Sequence, residues 1–196
     1  MRQASLVLLA GNLVVYPTDT LYALGAVALD GGAVARLRAA KGREAGKALP
    51  LIAADESQAA RLWGRFPERA RALAHRFWPG PLTLVLEAAP SVPPEITAGQ
   101  GTLAIRVPAL VVARRLAGAC GPLVATSANL AGARPPSTCD AAVAAVGAAA
   151  ALAIDAGPGG SLPSTLVDLT GARPRLLREG AIPWSDVSDV LRGLGC

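Results

Sequence analysis

The chain has 196 residues, of which 52% are hydrophobic and 17% are charged. This composition excludes a largely disordered protein, and the length suits one domain with a sizeable core. The formal net charge of +5 favours anionic partners such as nucleotides or RNA. Because aromatic residues make up only 4% of the chain, base stacking is disfavoured as the main way of binding them.

The predicted elements of the first half alternate between helices and strands. Apolar residues at helical spacing predict a helix over residues 4–10, and a short apolar strand over 13–16 ends before Pro17. The following elements are a strand over 22–29, a helix over 32–40, a polar loop over 41–47, a strand over 49–53, and helices over 56–63 and 68–77.

The second half begins with a strand over 82–86, after the turn formed by Pro79, Gly80 and Pro81. The remaining strands are predicted over 102–107, 123–125, 152–155, 164–168 and 175–178, and the helices over 109–117, 139–146 and 184–194. Ser137 or Thr138 is placed to cap the helix that begins at residue 139. Because several strands follow one another without helices between them, we expect a mixed sheet.

Cysteine and histidine usage argues against a metal or disulfide framework. Cys120, Cys139 and Cys196 are odd in number and widely spaced, which is typical of a reducing compartment. His75 is the only histidine, and its position on a helix-like face favours a structural role. The apolar N-terminal stretch favours a first helix over a signal peptide, and no apolar tract is long enough to span a membrane. We therefore predict a cytoplasmic protein with one domain over residues 1–196 and no membrane contact.

Two polar clusters follow points where apolar segments end. Lys41 and Arg43 follow a predicted helix, and the run from Thr126 to Asn129, which includes Ser127, follows a predicted strand. In open α/β sheets, ligands bind at the carboxyl ends of strands. Cations on one loop, with hydroxyls and an amide on another, suit a phosphate-bearing ligand beside a small polar one. The basic pair also fits a solvated helix end.

Two further motifs allow both a functional and a structural interpretation. Thr18, Asp19 and Thr20 place two hydroxyls and a carboxylate in the turn after Pro17, where satisfying local backbone groups is slightly favoured over binding a ligand. Arg106 ends a predicted strand and fits either a clamp for a carboxylate or another anion, or a surface residue.

Taken in order, these motifs resemble those of the YrdC-like family, and within it the threonylcarbamoyl-AMP synthases. The resemblance runs over residues 13–182 and is carried by PTDTLYALG, KGR, WPGPLT, IRVP, TSAN, STLVD and REG. It implies an α/β fold, with a YrdC-like twisted mixed β-sheet and flanking helices around a basic concave cleft. It also implies a nucleotidyltransferase that converts L-threonine, bicarbonate and ATP into L-threonylcarbamoyl-AMP and pyrophosphate, for threonylcarbamoyladenosine modification of tRNA.

The resemblance further implies a set of site residues and partners. The threonine-side residues are Thr18, Arg106, Ser127 and Ser164. The nucleotide-side residues are Lys41, Arg43, Thr83, Asn129, Ser137 and Arg178, of which Lys41 and Arg43 are also the catalytic pair. ATP is a substrate, and Mg²⁺ is expected to be held mainly by phosphates and water rather than by protein ligands. Other tRNA-modification proteins are expected partners, as is weak binding of tRNA or double-stranded RNA.

The chain departs from the family pattern in three places. A histidine common after the strand 49–53 is replaced by Ala53, Ala54 and Asp55, which would alter packing on the threonine side. Glu44 stands where a proline commonly follows the basic pair. The chain ends soon after the predicted closing helix, so we expect another lid or an N-terminal element in place of the extra C-terminal domain of longer members.

Two alternative functions share the same sequence features. One is a carbamoyl-adenylate-forming domain of the hydrogenase-maturation type, which would act without threonine. The other is a non-catalytic module that binds double-stranded RNA, for which affinity would fall steeply with salt. The scattered cations and few aromatic residues speak mildly against the second.

Overall fold

The computed structural model describes residues 1–42, 46–130 and 132–194. Within these residues, nine strands form one sheet, and eight α-helices accompany it. The strands are β1 (Leu13–Tyr16), β2 (Ala23–Val27), β3 (Leu51–Ile52), β4 (Leu82–Glu87), β5 (Thr102–Arg106), β6 (Leu123–Ser127), β7 (Ala150–Ala153), β8 (Thr165–Asp168) and β9 (Arg175–Arg178). The helices are α1 (Arg2–Leu9), α2 (Gly31–Lys41), α3 (Glu56–Ala60), α4 (Glu68–Phe77), α5 (Pro94–Thr97), α6 (Val111–Cys120), α7 (Cys139–Val146) and α8 (Trp184–Arg192).

The sheet is mixed, which confirms the prediction from the strand sequence. Its strand order is β7-β1-β2-β6-β3-β5-β4-β8-β9. The pairs β1 with β7, β3 with β5, and β4 with β8 are parallel, and the other neighbours are antiparallel. The expected α/β architecture of a mixed sheet with flanking helices is therefore confirmed.

Alternation along the strands separates the core from a polar face. In β4, Leu82, Leu84 and Leu86 are buried in the larger hydrophobic core, which includes residues of α2, α4, α7 and α8. The intervening residues Thr83 and Val85 point to the opposite face, because successive side chains of a strand alternate between faces. Burying three leucines on one side fixes the register of β4 and thereby presents Thr83 to the other side.

A second hydrophobic cluster holds α1 and α6 against the sheet. It joins Leu8 of α1 and Leu116 of α6 to Val14, Tyr16 and Leu123 of the strands. Tyr16 is fully buried, and its hydroxyl donates to the carbonyl of Val124 at 3.3 Å. The loop that leaves β1 after Tyr16 therefore starts from a rigid position.

Helix α2 includes Lys41, which the sequence assigned to a loop. Asp30 caps its N-terminus by accepting from the backbone amide of Ala33 at 3.0 Å. Gly42 ends it in the left-handed conformation, at φ 57°, and its amide donates to the carbonyls of Ala39 and Arg38. A glycine at this position lets the helix run through Lys41 before the chain turns.

Other boundaries also differ from the predictions. β6 extends through Ser127 because β2 pairs with it along its whole length, with Ala23 opposite Ser127. β3 is confined to two residues, and α3 ends at Ala60 instead of residue 63. The short helix α5, which begins at a proline, lies in a segment predicted to be only loop. Thr138, rather than Ser137, caps α7 by accepting from the amide of Ala141 at 3.3 Å.

Candidate active site

One face of the sheet carries a cleft with a volume of about 1470 Å³. Its floor is made by residues of β4, β5, β6 and β8 that include the side chains turned away from the larger core, and its walls include the β1–β2 loop, residues 134–137 and the segment before β8. Seven of the predicted site residues line it: Thr18, Thr83, Arg106, Ser127, Ser137, Ser164 and Arg178. Sequence motifs that are up to 160 residues apart (Thr18 and Arg178) therefore meet in one cavity.

The cleft crosses the sheet instead of lying at the carboxyl ends of its strands. Arg106 ends β5 and Ser127 ends β6, but β3 is parallel to β5 and antiparallel to β6. β5 and β6 therefore run in opposite directions, and their carboxyl ends lie at opposite ends of the sheet along the strand direction. Arg106 and Ser127 share a cavity because the cavity extends over the sheet face.

The Thr18 hydroxyl organises the β1–β2 loop. It accepts from the backbone amides of Thr20 and Leu21, each at 3.2 Å, and donates to the carbonyl of Leu21 at 2.7 Å. The Thr20 hydroxyl lies 3.0 Å from it. The threonines thus satisfy local groups, as the structural interpretation of this turn predicts, while both also line the cleft.

Asp19 forms a long-range ion pair with Arg106 instead of bonding locally. Its Oδ1 accepts from Nη1 of Arg106 at 2.6 Å, and the Thr20 hydroxyl accepts from Nη2 at 3.1 Å. The side chains of Arg106 and Asp19 are only 7% and 14% exposed. Two directed bonds to a planar guanidinium fix its orientation, so Arg106 enters the cleft already positioned. Oδ2 of Asp19 is buried and has no hydrogen-bond partner among the described residues.

A second polar group joins β4, the segment before β8, and β9. The hydroxyls of Thr83 and Ser164 lie 2.7 Å apart. Arg178 donates from Nη2 and Nε to the carbonyl of Ser164, at 2.9 and 3.2 Å, and Nη2 lies 3.3 Å from the Ser164 hydroxyl. Three predicted residues are thereby brought into direct contact. Ser164 links a hydroxyl on the sheet floor to a cation on an edge strand.

The electrostatics of the cleft favour an anion. Partial burial, and secondarily the charge of Arg106, lower the pKa of Arg178. Each of these two cations therefore raises the positive potential at the other, and an anion between them would relieve the repulsion. Arg134 and Arg175 also line the cleft. No motif of the sequence includes Arg134, whose exposed side chain lies on a loop.

Asp168, Thr170 and Arg175 form the far end of the cleft and were missed as site residues. The Asp168 carboxylate accepts from the hydroxyl and amide of Thr170, at 2.6 and 2.9 Å, and from Arg175 at 2.7 Å. Burial raises the pKa of Asp168, but the bonds from Thr170 and Arg175 outweigh burial and lower it overall. The acid and the arginine are seven residues apart on paired strands, which is a pattern that could have indicated the ion pair.

Lys41 joins the two polar clusters, although it does not line the cleft. Its ammonium donates to the backbone carbonyls of Ser127 and Asn129, each at 2.5 Å, and its side chain is buried. These bonds tie the C-terminus of α2 to the end of β6. The Asn129 amide in turn donates to the carbonyls of Leu130 and Ala133, at 2.8 and 2.7 Å, which closes the following turn.

The remaining predicted site residues are Arg43, Asn129 and Ser137. Arg43, the second cation of the basic pair, and Glu44 lie outside the described residues. Asn129 is buried beside the cleft, and its Oδ1 has no hydrogen-bond partner in the described part of the chain. Ser137 is exposed on the cleft wall, and its carbonyl accepts from the amide of Gly159 at 2.8 Å.

Three of the residues that depart from the family pattern, Ala53, Ala54 and Asp55, do not line the cavity. Asp55 caps α3 by accepting from the amide of Gln58 at 2.7 Å, and neither it nor Ala53 or Ala54 lines the cleft. His75 is exposed in the last turn of α4, also outside the cleft. In the ranges 1–42, 46–130 and 132–194, no cluster of three or more His, Cys, Asp or Glu side chains is placed to hold a metal. Over the same ranges, no helix combines the length and apolarity needed to cross a membrane.

Fold and site together define an α/β protein with a cleft that holds two positioned arginines and several hydroxyls. The family model Sua5_yciO_yrdC, described as telomere recombination, matches residues 6–180. A putative threonylcarbamoyl-AMP synthase of Mycobacterium tuberculosis is 40% identical over 183 residues, which cover 93% of this chain and 84% of that protein.

Solved structures give the same picture. The crystal structure of Pyrococcus abyssi Sua5 complexed with L-threonine has a TM-score of 0.94 and 40% identity, and the match covers 97% of this chain. The chain spans 56% of the length of that Sua5 chain. Full-length HypF, in a phosphate- and nucleotide-bound form, has a TM-score of 0.80 at 18% identity, which is a likeness of fold alone. The chain belongs to the Sua5/YciO/YrdC family, as its ordered motifs predict.

Proposed function

We propose that this chain is a threonylcarbamoyl-AMP synthase, which makes L-threonylcarbamoyl-AMP and pyrophosphate from L-threonine, bicarbonate and ATP. Relatives at about 40% identity that bear this name support the proposal. The observation that supports the proposal most strongly is the position of Arg106, which Asp19 and Thr20 hold beside a hydroxyl-rich loop. A positioned guanidinium beside hydroxyls suits a small hydroxy amino acid with a free carboxylate.

On the threonine side, Arg106 would bind the substrate carboxylate. Thr18 and Ser164 would contact its other polar groups, together with Ser127 at the end of β6. All four residues line the same cleft, which supports their assignment to one ligand. The crystallised complex of the Pyrococcus abyssi relative with L-threonine also supports an amino-acid site in this fold.

On the nucleotide side, cations would offset the charge of the triphosphate. We assign this role to Arg178, Lys41 and Arg43, with Thr83, Ser137 and Asn129 as further contacts. Arg178 faces the cleft with Arg106, which supports an anion between them. Lys41 holds the carbonyls of Ser127 and Asn129 and does not line the cleft, so a phosphate contact requires its ammonium to turn toward the cleft.

The reaction would proceed by positioning and electrostatic stabilisation. The threonine amine forms a bond to the carbon of bicarbonate, water leaves, and a carbamate results. A carbamate oxygen then forms a bond to the α-phosphorus of ATP while the bond from that phosphorus to the pyrophosphate oxygen breaks. Mg²⁺ would accompany ATP, bound mainly by phosphate oxygens and water, because hard divalent cations often keep such ligands. The ion would offset charge on the departing pyrophosphate.

We further propose a cellular setting for this activity. Residues 1–196 would act as one domain in the cytoplasm, and other tRNA-modification proteins would use the adenylate. Weak binding of tRNA or double-stranded RNA is consistent with the net charge of +5.

Pyrophosphate release tests the proposal. Purified protein is incubated with ATP, bicarbonate and L-threonine, and each component is omitted in turn. Release that needs both L-threonine and bicarbonate is expected. Release that needs carbamoyl phosphate but not threonine would instead support a carbamoyl-adenylate-forming domain. The absence of release from folded protein under every condition would contradict catalysis and favour the RNA-binding alternative.

A further inference from the structure

A glycine-rich segment forms a wall between the two sides of the cleft. This segment, residues 156–161, is called the strap below and connects the end of β7 with the residues before β8. Its residues Gly160 and Ser161 line the cleft. The motifs that identify the family do not include it, and the site described above assigns it no role.

One buried phenol anchors the first half of the strap. The hydroxyl of Tyr22, whose ring is fully buried, lies 2.7 Å from the carbonyl oxygen of Gly157 and 3.0 Å from Oδ1 of Asp155. The same Oδ1 accepts from the amide of Gly157 at 2.9 Å. Burial, and further Asp155, raise the pKa of Tyr22. The phenol therefore stays protonated at neutral pH and acts as a donor to the strap.

The second half of the strap touches both sides of the cleft. The amide of Gly159 donates at 2.8 Å to the carbonyl of Ser137, on the proposed nucleotide side. Gly160 packs against the β1–β2 loop on the proposed threonine side. A Cβ added at Gly160 would lie 2.6 Å from the carbonyl oxygen of Thr20 and 2.8 Å from that of Asp19. Only glycine allows the backbones to approach this closely.

We propose that Tyr22 and Asp155 are positioning residues that hold the strap in the one conformation able to bind both substrates. The inference rests on the proposed function, because it assigns the two sides to threonine and ATP. A strap released from Tyr22 would occupy the binding-competent conformation only part of the time. The apparent affinity for each ligand would fall to its intrinsic value multiplied by the fraction of time spent in that conformation. Either ligand, once bound, would restore the affinity for the other.

The test compares the wild-type protein with Tyr22→Phe and a matched Tyr16→Phe control. Both substitutions remove one hydroxyl from a buried ring, but Tyr16 donates to Val124 in β6 and makes no strap contact. Calorimetry gives the Kd of L-threonine with and without the ATP analogue α,β-methylene-ATP. Without the analogue, we expect the Kd to rise about fivefold to tenfold in Tyr22→Phe, as for one lost buried hydrogen bond. With saturating analogue, the Kd should return to within about twofold of wild type.

Variants of Asp155 separate positioning from simple loss of stability. Asp155→Asn keeps an oxygen acceptor for the Gly157 amide and should behave like wild type, whereas Asp155→Ala should reproduce the effect of Tyr22→Phe. Asp155 is exposed, so Asp155→Ala keeps the test usable if Tyr22→Phe does not fold. An unchanged Kd in both Tyr22→Phe and Asp155→Ala, an equal rise in Tyr16→Phe, or a rise that the analogue does not relieve would overturn the proposal.

Hydrogen exchange distinguishes failure of this inference from failure of the proposed function. In the ligand-free protein, the amides of Gly157 and Gly159 should exchange faster in Tyr22→Phe than in Tyr16→Phe or wild type. A wild-type protein that binds neither L-threonine nor the analogue would contradict the proposed function, and the exchange rates would still decide whether Tyr22 anchors the strap. Equal exchange in all three proteins would refute the anchor.

Discussion

Replacing Arg106 by lysine tests the proposed threonine clamp while keeping its positive charge. In the structure, Nη1 of the guanidinium donates to Asp19 and Nη2 donates to Thr20, and the side chain is 7% exposed. Lysine can still neutralise Asp19, so the variant avoids the large penalty of an unpaired buried carboxylate. Its ammonium is a point donor, however, and cannot hold Asp19 and a substrate carboxylate with the same directed geometry.

The loss expected is one charge-assisted hydrogen bond to the substrate. Such a bond contributes about 1.5–3 kcal/mol, which corresponds to a rise of about tenfold to a hundredfold in the KM for L-threonine. The KM for ATP should change much less, because Arg106 is assigned to the amino acid. Steady-state pyrophosphate release is measured against L-threonine at saturating ATP and bicarbonate. Arg115→Lys, on the exposed side of α6 and outside the cleft, provides the matched control. A folded Arg106→Lys protein with a KM for threonine within twofold of wild type would refute the clamp.

Three further predictions follow from buried contacts. Lys41→Met should slow pyrophosphate release at least tenfold, and it should also lower the free energy of unfolding by about 1–3 kcal/mol, because two carbonyls lose their donor. Gly180→Ala should lower the free energy of unfolding by about 1–3 kcal/mol and weaken threonine binding, because the added Cβ would lie 2.2 Å from the Pro163 carbonyl oxygen. Gly171→Ala is the control and should have neither effect, because the nearest atom to its added Cβ is 3.8 Å away. Asp168→Asn should remove a stabilisation that wild type has at neutral pH and loses in acid. Folding lowers the pKa of the Asp168 carboxyl in the wild-type protein. The stabilisation is therefore present above about pH 4 and disappears as the pH falls through the folded-state pKa.

Denaturant unfolding and steady-state kinetics check these three predictions. A Lys41→Met protein with wild-type stability would contradict the buried contacts, and one with a wild-type rate would contradict a role in catalysis. Equal melting of the two glycine variants would argue against the close approach at Gly180. A stability difference between wild type and Asp168→Asn that does not shrink between pH 6 and about pH 3 would contradict the lowered pKa.

Much of the fold could be predicted because local sequence and tertiary context agree. Leucine at every second position of β4, with Thr83, Val85 and Glu87 between, identifies both a strand and the face that carries Thr83. The bounds of α4, α7 and β9 match the predictions because proline, a threonine cap and a short hairpin delimit them. α5 was missed because its four residues lie in a segment rich in proline and glycine.

The composition of the site was easier to predict than its connections. The ordered motifs predict seven of the residues that line the cleft, because each motif contains unusual residue types. The partner of Asp19 lies 87 residues away, so local reasoning favoured a self-contained turn over the ion pair with Arg106. The sequence predicts Lys41 on a loop because only Gly42, with its left-handed backbone, marks where the helix ends. The sequence predicts Tyr22 as part of a strand, and no local pattern indicates that its hydroxyl holds a segment 135 residues away.

The product of the reaction with ¹³C-bicarbonate tests the central claim most directly. Purified protein is incubated with ATP, L-threonine and labelled bicarbonate. The nucleotide products are separated, and their masses are measured by mass spectrometry. We predict a threonylcarbamoyl-AMP whose mass exceeds that of the unlabelled product by one neutron, with the label in the carbamoyl group on fragmentation. ATP recovered intact, or an adenylate that carries no label or no threonine, would contradict the account.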